Sequence, residues 1–477
     1  MESAPLFNPL SYSGLFPEYA VFAGIVLICL VIFLLPRLAG GISLWVALLS
    51  LFGAFFLSDN NPDALLPESL SLQSWTWVLK RYFCVATSVA LFAWLEWKEE
   101  RPVQLSPIFI ALILLATLSL MILVQASGLW AMLLAAEGFS FCAYAIATGP
   151  ENTKESREGI LRYFGMGALA TAVSVFGLSW IIGFQDIPFP GNAGFSNSIA
   201  FFPVAGAVLF LAFLFFKLGC FPFQNWVPGI FLSAPSPVAG FLAAAPKVAA
   251  GFACLNLVQN LDINLGFPMI LMALFTGLLG NLAAFQSSKV KEMLAFSAIG
   301  QASFLLIPSV FSRQVSGADG HLLYFALAYA TAVQAAFSAC QYFENHLGDR
   351  LDNDDLQGMF KNHPAASLIF SALLLAIVGL PPFAGFTGKL LVMTGLPGGS
   401  NLLPSGWLYA LFFIGLVNTV LAAGYFMRLP FAMFFKTRNA GSPGIRPSSA
   451  SVVIMLLGLA YQLLAFIYPG FFLPGIF

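Results

Sequence analysis

The sequence predicts an all-α polytopic membrane protein with about 14 transmembrane helices, ten of them arranged as two inverted five-helix repeats. Three observations support this prediction. The chain is 59% hydrophobic and only 9% charged, with a mean hydropathy of +0.88, whereas a soluble domain has roughly a quarter of its residues charged. Long apolar segments follow one another along the chain. Two of these segments contain a similar Gly-Pro-Phe break, about 160 residues apart.

The predicted spans follow from the length that a bilayer crossing requires, which is about 20 predominantly apolar residues. Dividing the chain at polar or Pro/Gly-rich positions predicts spans at 18–36, 41–58, 80–97, 106–125, 128–147, 159–183, 200–232, 235–258, 266–286, 290–311, 321–344, 364–396, 405–435 and 450–472. The segments 200–232 and 364–396 are predicted to be broken helices. Because the number of spans is even, both termini are expected on the same side of the membrane.

The basic residues predict which side that is, since lysine and arginine concentrate in cytoplasmic loops. One face holds little beyond Lys80, Arg81 and Arg313. The other basic residues outside the spans fall in, or at the edge of, alternate loops on the opposite face, namely Arg37, Lys98, Arg101, Lys154, Arg157, Arg162, Lys289, Lys291, Arg350, Lys361, Lys436, Arg438 and Arg446. That second face is predicted to be cytoplasmic, so both termini are expected outside. A net charge of −1 argues against nucleic acid as a partner.

The two breaks have the same place within two five-span segments. The stretch FFKLGCFPFQNW contains Gly219 and Pro222, and the stretch GLPPFAGFTGKLL contains Pro381 and Pro382. We therefore divide the chain into an N-terminal three-helix segment (1–104), a first five-helix repeat (105–258), a second repeat (259–435) and a C-terminal helix (436–477). An odd number of spans per repeat makes the second repeat enter the membrane from the opposite side. The alternative is chance, because Gly-Pro breaks are common in membrane helices.

Four charged residues are predicted to lie near the membrane interior: Glu137, Lys217, Lys247 and Lys389. Inserting each costs about 2.5–3.5 kcal/mol, so a functional role is the default interpretation. Lys217 precedes a break, where freed carbonyl groups admit water, and Glu137 is expected to adjust the protonation of Lys217. Lys247 is expected to relay protons between the repeats, and Lys389 to be the terminal site of the second. The alternatives are a structural ion pair for Glu137 and Lys217, and structural hydrogen bonds for the other two lysines.

The cysteines and histidines predict no redox cofactor in this chain. All six cysteines lie in apolar segments and none forms a CxxC motif, which argues against zinc or iron–sulfur sites. The three histidines, His321, His346 and His363, lie in or near predicted loops. Paired haem ligands within the membrane are therefore not expected.

Several stretches resemble the N-type antiporter-like membrane subunit of respiratory complex I (NADH-quinone oxidoreductase subunit N, subunit 2 in mitochondria). They are FKLGCFPFQNWVPGIFLSAPSPVAGFLAAAPKVAA, KESREGILRYFGMGALATA, KVKEMLAFSAIGQASFLL and GLPPFAGFTGKL, and the resemblance covers roughly 105–435. It implies a fourteen-helix, proton-translocating subunit of a bacterial inner membrane. It also implies that the intramembrane residues of the family are Glu137, Lys217, Lys247 and Lys389 in this chain.

The resemblance further implies an enzyme subunit without a cofactor of its own. FMN, iron–sulfur clusters and quinone are then expected on partner subunits of the complex, and this chain is expected to contact other membrane subunits, lipid and protons, and the quinone pool only indirectly. Two other functions stay open. The chain could belong to a multi-subunit cation/proton antiporter or a membrane-bound hydrogenase, or it could be a structural subunit with an inactive channel.

The chain departs from the family pattern at three positions. Gln224 and Gln301 stand where the family usually or often has histidine, and Gly229 stands where it usually has aspartate. Glutamine can pass hydrogen bonds but cannot titrate near neutral pH. Proton transfer past Gln224 and Gln301 is therefore expected to use water chains, with Ser297 as a further polar group.

Overall fold

The computed structural model describes residues 12–59, 65–99, 106–148, 154–183, 201–261, 265–313, 315, 317–348, 351–395, 405–436 and 449–472. Within these ranges the secondary structure is helical, apart from two isolated β-bridges that join Leu70 to Ala126 and Lys289 to Asp352. The chain divides into two compact units.

The first unit comprises Met1–Leu91 and Gln104–Ala143. It contains α1 (Phe16–Leu34), α2 (Ala39–Leu57), α4 (Pro107–Gln125) and most of α3 (Thr76–Glu99) and α5 (Leu129–Ala147). In this unit, α4 packs against α1 and α2. Proline in the first turn of α1 and of α4 suits a helix start, because the first N–H groups have no partner within the helix.

The second unit comprises Phe92–Val103 and Tyr144–Phe477. Its helices are α6 (Lys154–Gly183), α7 (Phe201–Leu218), α8 (Trp226–Ser233), α9 (Ser236–Asn260), α10 (Gly266–Gln286), α11 (Val290–Phe311), α12 (Ala318–Leu347), α13 (Met359–Asn362), α14 (Pro364–Val378), α15 (Ala384–Thr394), α16 (Ser405–Phe426), α17 (Arg428–Phe435), α18 (Ser449–Ile467) and α19 (Pro469–Phe472).

The helices confirm the predicted fold class. Among the described residues, thirteen helical segments are long and apolar enough to cross a membrane. The broken pair α14 and α15 occupies the place of the remaining predicted span. The other predicted break lies between α7 and α8. The division of the chain at residues 104, 258 and 435 stays a prediction.

Three neighbouring helices form the centre of the second unit. α9, α11 and α12 pack against one another, and their apolar windows are 100%, 94% and 94% buried. Small residues allow this close approach. A side chain at Gly240 of α9, for example, would lie 3.0 Å from Cβ of Phe337 on α12. Lys247, in the middle of α9, therefore lies at the centre of the unit.

Candidate functional site

The first helix break follows α7 and begins with a glycine cap. Gly219 has a φ of +72°, in the left-handed region that glycine adopts without a steric penalty. The N–H of Cys220 donates to the Phe215 carbonyl at 2.8 Å, a pattern that ends many helices. The Leu218 carbonyl, at the end of α7, accepts a hydrogen bond from Lys247 Nζ at 2.8 Å. A side chain from α9 thus binds the end of the broken helix.

The second break has the same construction. Gly379 has a φ of +82°, and the N–H of Leu380 donates to the Leu375 carbonyl at 3.1 Å. The Val378 carbonyl, at the end of α14, accepts a hydrogen bond from Lys389 Nζ at 2.7 Å. The lysine here comes from α15, the second half of the same broken helix. The two breaks therefore bind a lysine at the same backbone position, but the two lysines come from different elements.

Both lysines experience two opposed electrostatic effects. The C-terminal end of a helix carries partial negative charge, which favours a nearby ammonium group. Burial disfavours the same charge, and Lys247 and Lys389 are only 1% and 6% exposed. The charge of each buried amine is therefore subject to two effects that oppose each other, which is not the case for a surface lysine.

α11 contacts both breaks. Its Ala298 carbonyl accepts a second hydrogen bond from Lys247 Nζ, also at 2.8 Å. One turn further along, Gln301 Nε2 donates to the Ile377 carbonyl of α14 at 3.2 Å. Residues three apart are neighbours on a helix surface. One face of α11 therefore connects the lysine of the first break to the backbone of the second.

The chain matches a family described as "NADH:quinone oxidoreductase/Mrp antiporter, TM" over residues 126–421. The NADH-quinone oxidoreductase subunit N 1 of Sorangium cellulosum is 31% identical over 379 residues, which cover 74% of this chain and 73% of that protein. The chain belongs to the NADH-quinone oxidoreductase subunit N family. A second member, subunit N 1 of Opitutus terrae, is 29% identical over 92% of this chain and 90% of its own length.

Solved structures share the fold of this subunit N family member. A chain of "Respiratory complex I from Thermus thermophilus with bound Aureothin" superposes with a TM-score of 0.78 at 24% identity, covering 96% of this chain and 99% of that one. A chain of "Structure of Mrp complex from Dietzia sp. DQ12-45-1b" also gives 0.78, at 15% identity, with 98% and 96% covered. At these identities the likeness establishes the fold alone.

Lys217 lies in the last turn of α7 and is 5% exposed. Its Nζ is 4.6 Å from the ring centroid of Phe213 and 5.3 Å from that of Phe216. Lys389 has a similar aromatic contact, 4.7 Å from the ring centroid of Phe304. Aromatic ring faces attract cations, so these rings help to accommodate the two ammonium groups away from water.

Glu137 is half-buried in α5. Its predicted pairing with Lys217 stays a prediction. Of the polar residues expected to support water chains, Ser297 and Gln301 are buried. The side-chain oxygens of Gln224 and Gln301 are also buried, and accept no hydrogen bond within the described part of the chain. Buried polar atoms of this kind are normally satisfied by ordered water.

Five further charged residues in the described part of the chain are buried and were not predicted to be. Glu18, Lys80, Glu96, Lys291 and Glu344 are each no more than 9% exposed, whereas the prediction placed only four charged residues in the interior. Lys80 and Glu18 form an ion pair of 2.9 Å in the first unit. In the second unit, Lys291 and Glu344 form one of 3.1 Å, and Glu96 accepts hydrogen bonds from the backbone N–H and the hydroxyl of Ser451.

Lys80 and Lys291 were predicted to lie in or at the edge of loops, and their burial was not predicted. Each stands near the first residue of an apolar run, where hydropathy alone places the membrane boundary. In the structure α3 begins at Thr76 and α11 at Val290, so both lysines are helical and turn towards neighbouring helices. Their acidic partners are distant in sequence, and no local pattern identifies them. A local indication of a buried ion pair was Glu18, an acidic residue in the first turn of the otherwise apolar helix α1.

Proposed function

We propose that this chain is a proton-translocating membrane subunit of a complex I-type NADH-quinone oxidoreductase. One observation carries the proposal: two buried lysines, Lys247 and Lys389, bind the backbone at equivalent positions of two helix breaks, and α11 contacts both. Such broken helices are where polar backbone and water are tolerated at membrane depth. The names of the relatives suggest the reaction to which the proton movement is coupled, the oxidation of NADH by quinone.

The buried lysines hold and release the protons. An ammonium group has three N–H donors, and Lys247 uses two of them on the carbonyls of Leu218 and Ala298. The third donor can pass its proton to an acceptor. Release of a proton removes the charge that the end of α7 attracts, so the affinity of Lys247 for this helix end changes with its protonation. Proton occupancy and the conformation of the break are coupled in this way.

We propose that protons move along Glu137, Lys217, Lys247 and Lys389, with water between them. Glu137 tunes the charge of Lys217 at the start of the path. Between Lys247 and Lys389, the amide of Gln301 orients water but does not itself take up a proton, and Ser297 is a further polar group on α11. Gln224 has the corresponding role next to the first break. The breaks at Gly219 and Pro222, and at Pro381 and Pro382, provide the polar backbone along this route.

The chain is a multi-pass membrane protein. We propose that it lies in a bacterial inner membrane with both termini on the periplasmic side, as the distribution of lysine and arginine favours. We also propose that it binds no redox cofactor itself. FMN, the iron–sulfur clusters and the quinone site then belong to partner subunits, and the chain contacts other membrane subunits and lipid.

The main alternative is a subunit of a multi-subunit cation/proton antiporter, since the matching family also includes Mrp antiporters. Sequence favours the first function, because a subunit N relative is 31% identical, whereas the Mrp structure is 15% identical. Purification of the native complex decides between them. Co-purifying flavin and iron–sulfur subunits support the proposal, and a complex without redox subunits supports the antiporter.

The lysine at the second break provides the direct test. Lys389→Ala is expected to leave the complex assembled on native gels and to reduce proton uptake per electron pair in membrane vesicles. Lys389→Arg should restore little pumping, because arginine does not deprotonate in proteins. The control is Lys361→Ala, which removes an exposed lysine. Full pumping by Lys389→Ala would refute the proposed role.

A further inference from the structure

A second set of buried polar side chains lies on α9, α11 and α12, the three packed helices of which α9 contains Lys247. Lys291 Nζ is 3.1 Å from Glu344 Oε1. The other carboxylate oxygen, Oε2, accepts a hydrogen bond from the hydroxyl of Ser236 at 2.6 Å. Lys291 Nζ also donates to the Ala234 carbonyl at 3.0 Å, at the C-terminal end of α8. The three side chains, which we call the Lys291 cluster, therefore connect α9, α11 and α12 with the end of the first broken helix.

The Lys291 cluster lies at one end of these helices, and Lys247 lies deeper. Ser236 is the first residue of α9, and Lys291 is the second residue of α11. The rise along α9 from Ser236 to Lys247 is about 16 Å, at 1.5 Å per residue. The rise along α11 from Lys291 to Ala298, whose carbonyl binds Lys247, is about 10 Å. The same two helices therefore carry both sites, one near the helix ends and one in the middle.

The cluster is next to a connecting segment. The N–H of Val290 donates to the Leu351 carbonyl at 3.1 Å, and Lys289 is bridged to Asp352. Glu344 stands less than one turn from the end of α12. The carboxylate is therefore buried but lies close to the point where the chain leaves the helical bundle, which is the position needed by a group that takes up protons from the aqueous phase.

We propose that Lys291, Glu344 and Ser236 form a proton-exchange group that transfers protons between the aqueous phase and Lys247. This inference rests on the proposed function, since it adds an entry or exit point to the same route. Lys291 and Glu344, two buried charged residues outside the route along Glu137, Lys217, Lys247 and Lys389, would then have a role in proton transfer.

The proton balance of the cycle closes on the residues present. Glu344 takes up one proton from the aqueous side, directly or through the Ser236 hydroxyl. Lys291 then releases one of its ammonium protons towards Lys247. The proton on Glu344 crosses 3.1 Å to the neutral amine of Lys291, which restores the ion pair. One proton enters and one leaves, and no other reactant is consumed.

The structural alternative is that the ion pair only holds the helices together, and the chain contains a matched control for it. In the first unit, Lys80 and Glu18 also form a buried pair, at 2.9 Å, and Gln125 Nε2 donates to Glu18 at 2.6 Å. Breaking either buried pair leaves an uncompensated charge and should destabilise the protein to a similar extent. Only the Lys291 cluster is expected to affect proton transfer.

The test compares Glu344→Gln, Glu344→Asp, Lys291→Arg and Glu18→Gln in the assembled complex in membrane vesicles. Glutamine keeps the acceptor for Ser236 but cannot take up a proton, so Glu344→Gln should slow proton transfer roughly a hundredfold or more, as expected for loss of a positioned acid–base group. Aspartate should restore part of it with a shifted pH profile. Lys291→Arg keeps the charge but releases no proton, and it decides the matter if Glu344→Gln fails to assemble.

The pH profile of proton uptake is the measurement that a structural role would not change. Other titratable or charged groups near the cluster include Cys340 on α12, Lys289 immediately before α11, and Asp352, which lies after α12 and is bridged to Lys289. Cys340→Ser and Asp352→Asn should therefore be measured in the same way and should leave the profile in place. Glu18→Gln should reduce assembly and leave proton uptake per electron pair unchanged.

Two results would overturn the inference while leaving the proposed function intact. One is normal proton uptake with an unchanged pH profile in both Glu344→Gln and Lys291→Arg, when Lys389→Ala is inactive. The other is an equal loss of pumping in Glu18→Gln, which would show that any broken ion pair has this effect. Normal pumping by Lys389→Ala would instead refute the proposed function itself.

Discussion

A methyl group at Gly379 should disable the second break without removing any polar atom. Gly379→Ala places a side chain where the backbone has a φ of +82°. The new Cβ would lie 2.8 Å from Cδ of Lys389 and 3.1 Å from the carbonyl oxygen of Gly385. The lysine stem is the more mobile neighbour, so it is expected to move first and to carry its Nζ away from the Val378 carbonyl.

The magnitude has two parts. An L-residue in the left-handed region costs about 1–2 kcal/mol. Ordinary apolar contact requires about 4 Å between carbon atoms, so the Lys389 stem must shift by roughly 1 Å, which stretches a hydrogen bond of 2.7 Å beyond its normal range. A hydrogen bond to a charged group contributes about 1.5–3 kcal/mol. The total destabilisation expected for Gly379→Ala is therefore about 2.5–5 kcal/mol.

Gly317 provides the matched control for the backbone part. It has a φ of +86°, and an added Cβ would meet no described atom within 4 Å. Gly317→Ala should therefore cost only about 1–2 kcal/mol and leave proton uptake per electron pair unchanged. The assay is proton uptake in vesicles, with thermal stability of the purified complex measured in parallel. If both variants pump normally, or both lose pumping in proportion to stability, the contact between Lys389 and the break is not required for transport.

Three further predictions concern other parts of the chain. Gln301→Leu should assemble but pump poorly, because it removes the donor to the Ile377 carbonyl and a polar site for water. Gln301→His should pump at least as well as the parent. Unimpaired pumping by the leucine variant would show that the proton route does not pass Gln301. Burial, and then the neighbouring His346, lower the pKa of His363, so the folded state should lose stability as the pH falls below the ordinary histidine pKa of about 6.5. In melting curves recorded at several pH values, His363→Gln should remove that part of the acid sensitivity. If the variant and the parent lose stability equally on acidification, His363 is not the group responsible. A cysteine introduced at Lys361 should react with an impermeant reagent only from the cytoplasmic side, and labelling from outside intact cells would overturn the proposed orientation.

Composition and spacing were sufficient to predict the all-α membrane fold, because apolar length is a direct consequence of bilayer thickness. The two breaks were also predictable, since glycine and proline act on the backbone of their own segment. Thus Gly219 and Gly379 can be read from the sequence without any tertiary information. The lysines at these breaks were identified for a similar reason: a charge in a long apolar run is visible locally.

The partners of the charges were not predictable in the same way. Lys247 binds the carbonyls of Leu218 and Ala298, and every residue has a carbonyl, so no sequence pattern identifies these two. The pair of Lys291 and Glu344 joins the start of α11 to the end of α12, and both residues stand where the sequence resembles a loop boundary. Which helix end turns towards which neighbour is decided by tertiary packing, and hydropathy contains no information about it.

The burial of α9, α11 and α12 determines what the lysines on these helices can do. A lysine on a lipid-facing helix would extend towards the interface to keep its charge in water, and it could then take no part in transfer across the membrane interior. Lys247 and Lys291 stand instead on helices that are almost wholly enclosed by protein. Their charges are held by backbone carbonyls and a carboxylate, which fix each amine in position. An enclosed amine with a fixed position and a spare N–H donor suits stepwise proton transfer, and small residues such as Gly240 provide the close packing that makes the enclosure possible.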